Sequence, residues 1–167
     1  MKRVPTHQRL RELFDYDEET GVLTWIKSAT ERHNVNIGKR AGRLHSNGYR
    51  RVQIGHQVFL EHRIIWAWMN DEAPPASIDH INRNRADNRW CNLRAATLQQ
   101  QAWNALAKAS NSCGLRGVYF ARDRNRWVAE IRINGKMVRL GVFQTKEEAA
   151  AAYQGAGRVT RGEFFPA

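Results

Sequence analysis

An aspartate and a histidine stand side by side at Asp79-His80, and amide side chains recur after them. An imidazole accepts a proton from water near neutral pH, and carboxylate and amide oxygens are the ligands that Mg²⁺ prefers. Hydrolysis of a phosphodiester uses both, because a cation neutralises charge on the phosphate while a base makes the attacking hydroxide. The stretch therefore predicts metal-assisted phosphodiester hydrolysis. The amide residues are Asn88, Asn92, Gln101 and Asn104.

The alternative to a catalytic pair is an ordinary surface pair, since adjacent acids and histidines are common and usually do nothing. The spacing of the asparagines and the basic charge of the chain favour a nuclease site. His62 begins an apolar helix beside Arg63, and we interpret it as a packed or phosphate-facing residue rather than a catalytic one. The remaining histidines are expected to face solvent, and they are His7, His33, His45 and His56.

Short helices and strands are predicted around this pair. Apolar residues at 64, 65, 68 and 69 have the spacing of a helical face over Glu61 to Met69, and the polar stretch Asn82 to Asn92 is a structured loop. Thr97-Leu98-Gln99-Gln100 is typical of a capping box that starts a helix running to about Ala109. On that helix Leu98, Ala102 and Ala105 share an apolar side. Further predicted elements are a helix at Thr6 to Phe14, a strand at Val22 to Ile26, and a hairpin of Tyr49 to Ile54 with Gln57 to Leu60.

A small polar linker at 110–115 separates this part from a second lobe. That lobe has three strand candidates, a capping box at Thr145 to Glu148 and an alanine-rich helix. Alternation along the strands places Ala129, Ile131, Val138 and Val142 towards the helix. The fold class is therefore α+β: a small N-terminal β/α lobe, then a three-stranded antiparallel sheet packed on one helix. The strand candidates are Gly117 to Phe120, Arg126 to Ile133 and Met137 to Phe143.

The charge balance indicates a polyanionic partner. The chain of 167 residues has 27 Lys and Arg against 16 Asp and Glu, a net charge of +11, and the surplus lies at Arg32 to Arg63 and in the C-terminal lobe. Such an excess usually serves attraction to nucleic acid. Two cysteines exclude a disulfide scaffold, and we expect no structural zinc. No apolar run is long enough to cross a bilayer and no signal peptide is seen, so we expect no membrane partner and a cytoplasmic protein. The sequence leaves the oligomeric state open, and a monomer is favoured.

Three motifs resemble the HNH homing endonucleases of phage type: Glu61-His62-Arg63-Ile64, Ile78-Asp79-His80-Ile81-Asn82, and Asp87-Asn88-Arg89 with Asn92-Leu93-Arg94. The resemblance implies a nuclease domain at 1–109 with a ββα-metal core at about 60–109, in the cytoplasm of a bacterial host if the gene is a phage's. It assigns His80 as general base, Asp79 as metal ligand and Asn92 as the residue that braces the loop and orients the base. The third motif position, an Asn in the family, is Gln101 here, with Asn104 as a possible substitute. The implied cofactor is Mg²⁺ or another divalent cation such as Mn²⁺.

A DNA-binding sheet face is predicted in the lobe at 116–167. A three-stranded sheet is about 10 Å across and fits a major groove about 12 Å wide. Arginines there anchor phosphates or contact guanine, and Tyr119 stacks on sugars or touches thymine methyls. The alternative is a solvated sheet face, which remains the better interpretation for any single arginine. The arginines of this face are Arg122, Arg124, Arg132 and Arg139.

The same lobe resembles the plant ethylene-responsive-factor (APETALA-like) DNA-binding domain, through Leu115-Arg116-Gly117-Val118, 127–132, 140–143 and 148–153. The resemblance implies a sheet in the major groove, with contacts from Arg116, Glu130, Arg132 and Arg139. Residues that contact DNA in the plant domain are replaced at Tyr119 and Ala121, so the plant target sequence is not transferred.

Together the sequence predicts a site-directed DNA endonuclease that acts on double-stranded DNA. The C-terminal sheet finds DNA, the Arg32 to Arg63 region grips the backbone, and the Asp79-His80 site cuts. The first alternative, motivated by Gln101, is a sequence-specific DNA-binding protein whose catalytic site has decayed. A second, weaker alternative is an RNA-binding protein, which the charge alone suggests.

Overall fold

The structure is a computed structural model that describes residues 3–29, 36–105 and 113–165. Its contacts divide the chain into two compact units, of which one ends at Gln99 and the other begins at Gln100. Both units combine helices with small antiparallel sheets, so the protein is mixed α+β. Among the described residues no helix is both long and apolar enough to span a membrane.

The predicted linker at 110–115 begins ten residues after this division. Residues 110–112 lie outside the described residues, so the linker stays a prediction. The helix predicted from Leu98 to about Ala109 ends at Asn104, and residues 106–109 lie outside the described residues. Arg32 of the basic region and His33 lie outside them as well.

The first unit begins with a capped helix and a hairpin. Thr6 accepts a hydrogen bond from the backbone N–H of Arg9 and starts the first helix, as predicted. In chain order, the sheets of its described residues are this hairpin, a three-stranded sheet and a second hairpin. In chain order the elements are α1 (His7–Leu13), β1 (Phe14–Asp17), β2 (Val22–Trp25), β3 (Arg43–Leu44), β4 (Arg50–Ile54), β5 (Gln57–Leu60), α2 (Glu61–Met69), β6 (Ile78–His80) and β7 (Leu93–Ala95).

The core of the first unit is closed by α2. Ile64 and Ile65 are fully buried and Trp68 is nearly so, which confirms the helical face predicted from their spacing. They pack in one cluster with residues of α1, β1 and β2, including Leu10 and Leu23. The indole of Trp68 also donates to the carbonyl of Phe14 at 3.0 Å. This cluster gives β6 a rigid support, because burial of each large apolar side chain contributes about 1.5 to 3 kcal/mol.

Helix α3 (Leu98–Asn104) crosses the division between the units. Its predicted apolar side is wrong: Leu98 is 78% exposed, Ala102 and Ala105 are exposed, and Asn104 is buried. Alanine methyls bury little apolar area, so over two helical turns they do not decide which side packs.

The second unit is a three-stranded sheet with one long helix. Its elements are β8 (Val118–Ala121), β9 (Arg126–Ile133), β10 (Lys136–Phe143) and α4 (Lys146–Arg161), and the strand order is β10-β9-β8. Asn134 and Gly135 have φ angles of 48° and 80° and form the predicted hairpin turn. The predicted capping box of Thr145 and Glu148 starts α4. The sheet and helix share a core of Val118, Ala129, Ile131, Ala149 and Tyr153.

The predicted alternation fails in β10. A register shift between Arg139 and Gly141 places Val142 opposite Val128, on the face away from α4, and turns Phe143 towards the core. Val142 is therefore 45% exposed rather than buried. An extra residue in one strand reverses the alternation beyond it, and nothing in the residue types signals that bulge.

Candidate active site

The β6–β7 hairpin carries the predicted Asp-His pair. Asp79 lies opposite Arg94, and His80 lies opposite Leu93, in an antiparallel register. All three residues of β6 are buried. The segment before β6 is held by Arg63, whose guanidinium donates a hydrogen bond to the carbonyl of Pro75 at 2.8 Å. Arg63 is therefore engaged by the backbone, although the sequence counts it among the bases of the Arg32 to Arg63 region.

The imidazole of His80 is held by Asn88. Its Nε2 lies 3.0 Å from Asn88 Oδ1, and because an amide oxygen only accepts, Nε2 carries the proton and the lone pair lies on Nδ1. Burial lowers the pKa of His80, and the hydrogen bond to Asn88 and the charge of Asp79 partly oppose that shift. His80 is therefore a neutral imidazole with a defined basic nitrogen.

Asn92 braces the loop between the two strands. Its Oδ1 accepts from the backbone N–H of Asn82 at 2.9 Å, and its Nδ2 donates to the carbonyl of Asp87 at 2.7 Å. Asp87 in turn accepts from Arg89 and Asn82, and the bond to Arg89 is the main reason that its pKa falls to about 2. Bracing is one of the two roles that the resemblance gives to Asn92, and the other, orienting the base, falls to a different residue. The side chain that contacts His80 is instead Asn88, eight residues after the histidine.

Two aromatic rings pack against His80. The ring of His62 lies at 5.1 Å in an edge-on arrangement, and that of Tyr49 lies at 5.9 Å. His62 is 5% exposed, and burial is the largest cause that lowers its pKa to about 3. It is thus a packed residue, one of the two interpretations that the sequence left open. Among the other histidines, His45 and His56 are exposed as predicted, while His7 is half-buried and bonded to the carbonyl of Ala67.

The carboxylate of Asp79 forms a buried ion pair. Arg94 approaches the same oxygen, Oδ2, with Nε at 3.0 Å and Nη2 at 2.8 Å. The carboxylate oxygens of Asp79 are hard ligands, which suit a divalent ion that keeps most of its water, such as Mg²⁺. Gln101 and Asn104 lie beyond the division at Gln99, so the first unit by itself supplies only Asp79 from the predicted ligands. Within the described residues, no three His, Cys, Asp or Glu side chains cluster as a metal site.

A cationic groove lies elsewhere on the first unit, along the β3-β4-β5 sheet. It encloses about 620 Å³, and its lining residues include no acid. Arg43 is exposed, and Arg51 is half-buried. The basic residues that line the groove are Lys27, Arg40, Arg43 and Arg51.

The predicted DNA-contacting residues of the second unit fall into three groups. Tyr119 and Arg139 both donate to Glu130 Oε1 at 3.1 Å, on the sheet face away from α4. Arg122 and Arg124 lie exposed in the β8–β9 turn, and Arg132 is exposed on the same face as Glu130. Arg116 is different, because its Nη1 donates to the carbonyls of Ala102, Trp103 and Ala105 and so caps the end of α3. Contact of any of them with DNA stays a prediction.

Sequence reasoning overlooked the buried carboxylate of Glu61. It is fully buried, and its Oε2 accepts from Arg50 Nε at 3.0 Å. The signal was present in the motif Glu61-His62-Arg63, since an acid inside a buried helix is rarely placed there without a partner.

The Asp-His pair lies on a buried hairpin that an asparagine-braced loop closes, which is the arrangement that the HNH-like motifs predict. A family model described as HNH endonuclease matches residues 59–102. "Protein 3.8" of Escherichia phage T7 is 32% identical over 104 residues, which are 62% of this chain and 85% of that protein. "Uncharacterized HNH endonuclease L560" of Acanthamoeba polyphaga mimivirus is 32% identical over 105 residues, 62% of this chain and 54% of that protein. The chain therefore belongs to the HNH endonuclease family.

The family match ends at residue 102 and does not include β8 to α4. The resemblance of the second unit to the ethylene-responsive-factor domain therefore stays a proposal. No solved structure matches the chain.

Proposed function

We propose that this protein is a homing-type DNA endonuclease that hydrolyses phosphodiester bonds of double-stranded DNA in the cytoplasm of a bacterial host. The observation that carries the proposal is the bond between His80 Nε2 and Asn88 Oδ1 at 3.0 Å. It leaves Nδ1 as the basic nitrogen of a neutral, immobilised imidazole, which is what a general base requires. His80 takes a proton from the water that attacks phosphorus.

Asp79 is the residue that would hold the divalent ion that HNH nucleases generally use, and Gln101 or Asn104 would complete its ligands. A bound Mg²⁺ or Mn²⁺ supplies charge neutralisation at the scissile phosphate and the leaving oxygen. Asn92 contributes by holding both ends of the loop that positions Asn88.

Two basic surfaces support the choice of DNA as substrate. The groove of Lys27, Arg43 and Arg51 offers cations to a sugar-phosphate backbone. The exposed sheet face of the second unit, with Arg132 and Arg139, would lie in the major groove in the manner of the ethylene-responsive-factor domain. We propose that a monomer uses both surfaces.

The test is cleavage of supercoiled plasmid with Mg²⁺ or with EDTA. We expect relaxed or linear product only with Mg²⁺. The His80→Ala variant should form no such product and should still bind DNA. His56→Ala is the matched control, because His56 is an exposed histidine of the same unit that does not line the groove, and this variant should cleave normally. Full activity of His80→Ala would contradict the assignment of the base.

The second candidate is a DNA-binding protein that does not cut. It is favoured by Gln101 in place of the family's asparagine and by the ion pair that Arg94 makes with the proposed metal ligand. Gln101→Asn separates the two functions: a gain of cleavage would mean that the longer side chain weakens metal binding. DNA binding without cleavage in both the wild type and Gln101→Asn would support the second candidate.

A further inference from the structure

Glu61 is a buried carboxylate that the proposed chemistry does not use, and Asn88, which holds His80, is buried as well. Glu61 is 0% exposed and Asn88 is 1% exposed. Each has one well-placed bond, Glu61 Oε2 to Arg50 Nε and Asn88 Oδ1 to His80 Nε2, both at 3.0 Å. Their other polar atoms, Glu61 Oε1 and Asn88 Nδ2, have no hydrogen-bond partner among the described residues.

These two atoms are complementary, since Glu61 Oε1 is an acceptor and Asn88 Nδ2 is a donor. Burial raises the pKa of Glu61, while Arg50, Arg40 and the Asn88 amide each lower it, so the amide lies near enough to act on the carboxylate. A buried donor and a buried acceptor left apart each carry a desolvation cost, which a small shift towards each other relieves. The Glu61 carboxylate is itself enclosed, because a Cβ on Gly42 would lie 2.6 Å from Oε2.

The direction of the Asn88 amide decides which nitrogen of His80 carries the proton. With Oδ1 towards His80, Nε2 is the donor and Nδ1 is basic. With the amide reversed, Nδ2 would face Nε2, and the ring would have to carry its proton on Nδ1. A carboxylate at Glu61 can only accept, so it favours the orientation that directs Nδ2 towards itself.

We propose that Glu61 is a positioning residue that selects the Nε2–H tautomer of His80 by fixing the amide orientation of Asn88. Arg50 holds the carboxylate through Oε2, and Arg40 Nη2 approaches Oε1 only to 3.8 Å, so Oε1 can still accept a hydrogen bond from the amide. The relay runs from α2 through the β6–β7 loop to β6, all within the first unit. The effect of this relay on catalysis rests on the proposed function, whereas its effect on the tautomer of His80 does not.

The test is the tautomer of His80, read from the ¹⁵N shifts of its ring in the full-length protein without DNA or metal, above neutral pH. The His80 signals are those missing from the spectrum of His80→Ala. We expect the Nε2–H form in the wild type. Glu61→Gln keeps the volume but can place its amide donor towards Asn88 while its oxygen stays on Arg50, so the Asn88 amide should reverse. We then expect a shift to the Nδ1–H form.

The rescue variant exchanges the two groups. In Glu61→Gln with Asn88→Asp, a donor at position 61 faces a carboxylate, and that carboxylate accepts from His80 Nε2–H. We expect the wild-type tautomer to return. Glu12→Gln is the control, because this glutamate is exposed in a surface pair with Arg9. A Glu61→Gln protein that circular dichroism shows to be folded, and whose His80 keeps the Nε2–H tautomer, would overturn the proposal.

Cleavage adds a second readout. Glu61→Gln should lower kcat about 10- to 100-fold with an unchanged KM for plasmid, and the double variant should recover it. If Glu61→Gln does not fold, the double variant decides. A double variant that folds with the Nε2–H tautomer of His80 supports the proposal. A double variant that does not fold, or that has the Nδ1–H tautomer, overturns it. A wild type that never cleaves DNA would contradict the proposed endonuclease and leave the tautomer result intact.

Discussion

Asp79 and Arg94 face each other across the β6–β7 hairpin with only 11% and 10% of their side chains exposed. Removal of one partner leaves a buried charge whose desolvation is no longer compensated. We expect Arg94→Leu to lower the free energy of unfolding by about 3 kcal/mol without Mg²⁺, as measured by urea denaturation. The control is Arg9→Leu, which breaks an exposed pair and should cost less than about 1 kcal/mol. Equal losses in the two variants would contradict the prediction.

His62 should make the protein sensitive to acid. Burial lowers its pKa to about 3 from the ordinary value of 6.5, so below pH 6.5 the unfolded chain binds a proton that the folded chain does not. The contribution of His62 to the free energy of unfolding is fully present above pH 6.5. It falls by about 1.4 kcal/mol for each pH unit below that value and levels off below about pH 3. His62→Phe should therefore flatten the loss of stability between about pH 6 and pH 4, as followed by urea unfolding. His45→Phe, at an exposed position, should leave the slope unchanged.

At the scale of elements, the β1–β2 hairpin supports the loop that carries Asn88. The hydroxyl of Tyr16 donates to the carbonyl of Asn88 at 2.8 Å. Gly21 has a φ of 69°, and a Cβ there would collide with the backbone of Asn88 and Arg89. The glycine thus meets two requirements at once, a left-handed conformation and a close approach.

Gly21→Ala should consequently be far more damaging than Gly55→Ala. Gly55 has a φ of 60° but nothing within 4 Å of an added Cβ, so it bears only the conformational cost of about 1 kcal/mol. We expect Gly21→Ala to cost about 3 kcal/mol or more and to weaken cleavage, because the loop must move. Urea unfolding and plasmid cleavage measure both effects. Similar stabilities for the two variants would show that the loop yields easily.

For the whole molecule, the net charge of +11 and the two basic surfaces predict binding to DNA that weakens with salt. If Arg132 contacts a phosphate, Arg132→Ala should reduce the slope of log K against log salt by about 0.9. The matched control is Arg158→Ala, on the exposed side of α4 rather than on the sheet face. Fluorescence anisotropy with duplex DNA gives both slopes. An unchanged slope for Arg132→Ala would remove it from the phosphate contacts.

The local elements could be predicted because they depend on signals from neighbouring residues. The capping box of Thr145, the turn of Asn134 and Gly135, and the face of α2 each satisfy backbone or core requirements within a few residues. The side of α3 could not be predicted, since alanines carry little apolar area. The face of Val142 was also missed, because a bulge changes alternation without a change of composition.

The sequence by itself determined the family, the α+β class and the Asp79-His80 pair, since these rest on residue types at fixed spacings. Only the tertiary structure decided which atoms meet: Asn88 on His80, Arg94 on Asp79, and Glu61 in the buried space beside them. The reason is physical. These contacts join residues up to 27 positions apart. Which buried polar groups pair with one another in the folded chain is decided by three-dimensional packing rather than by local sequence pattern.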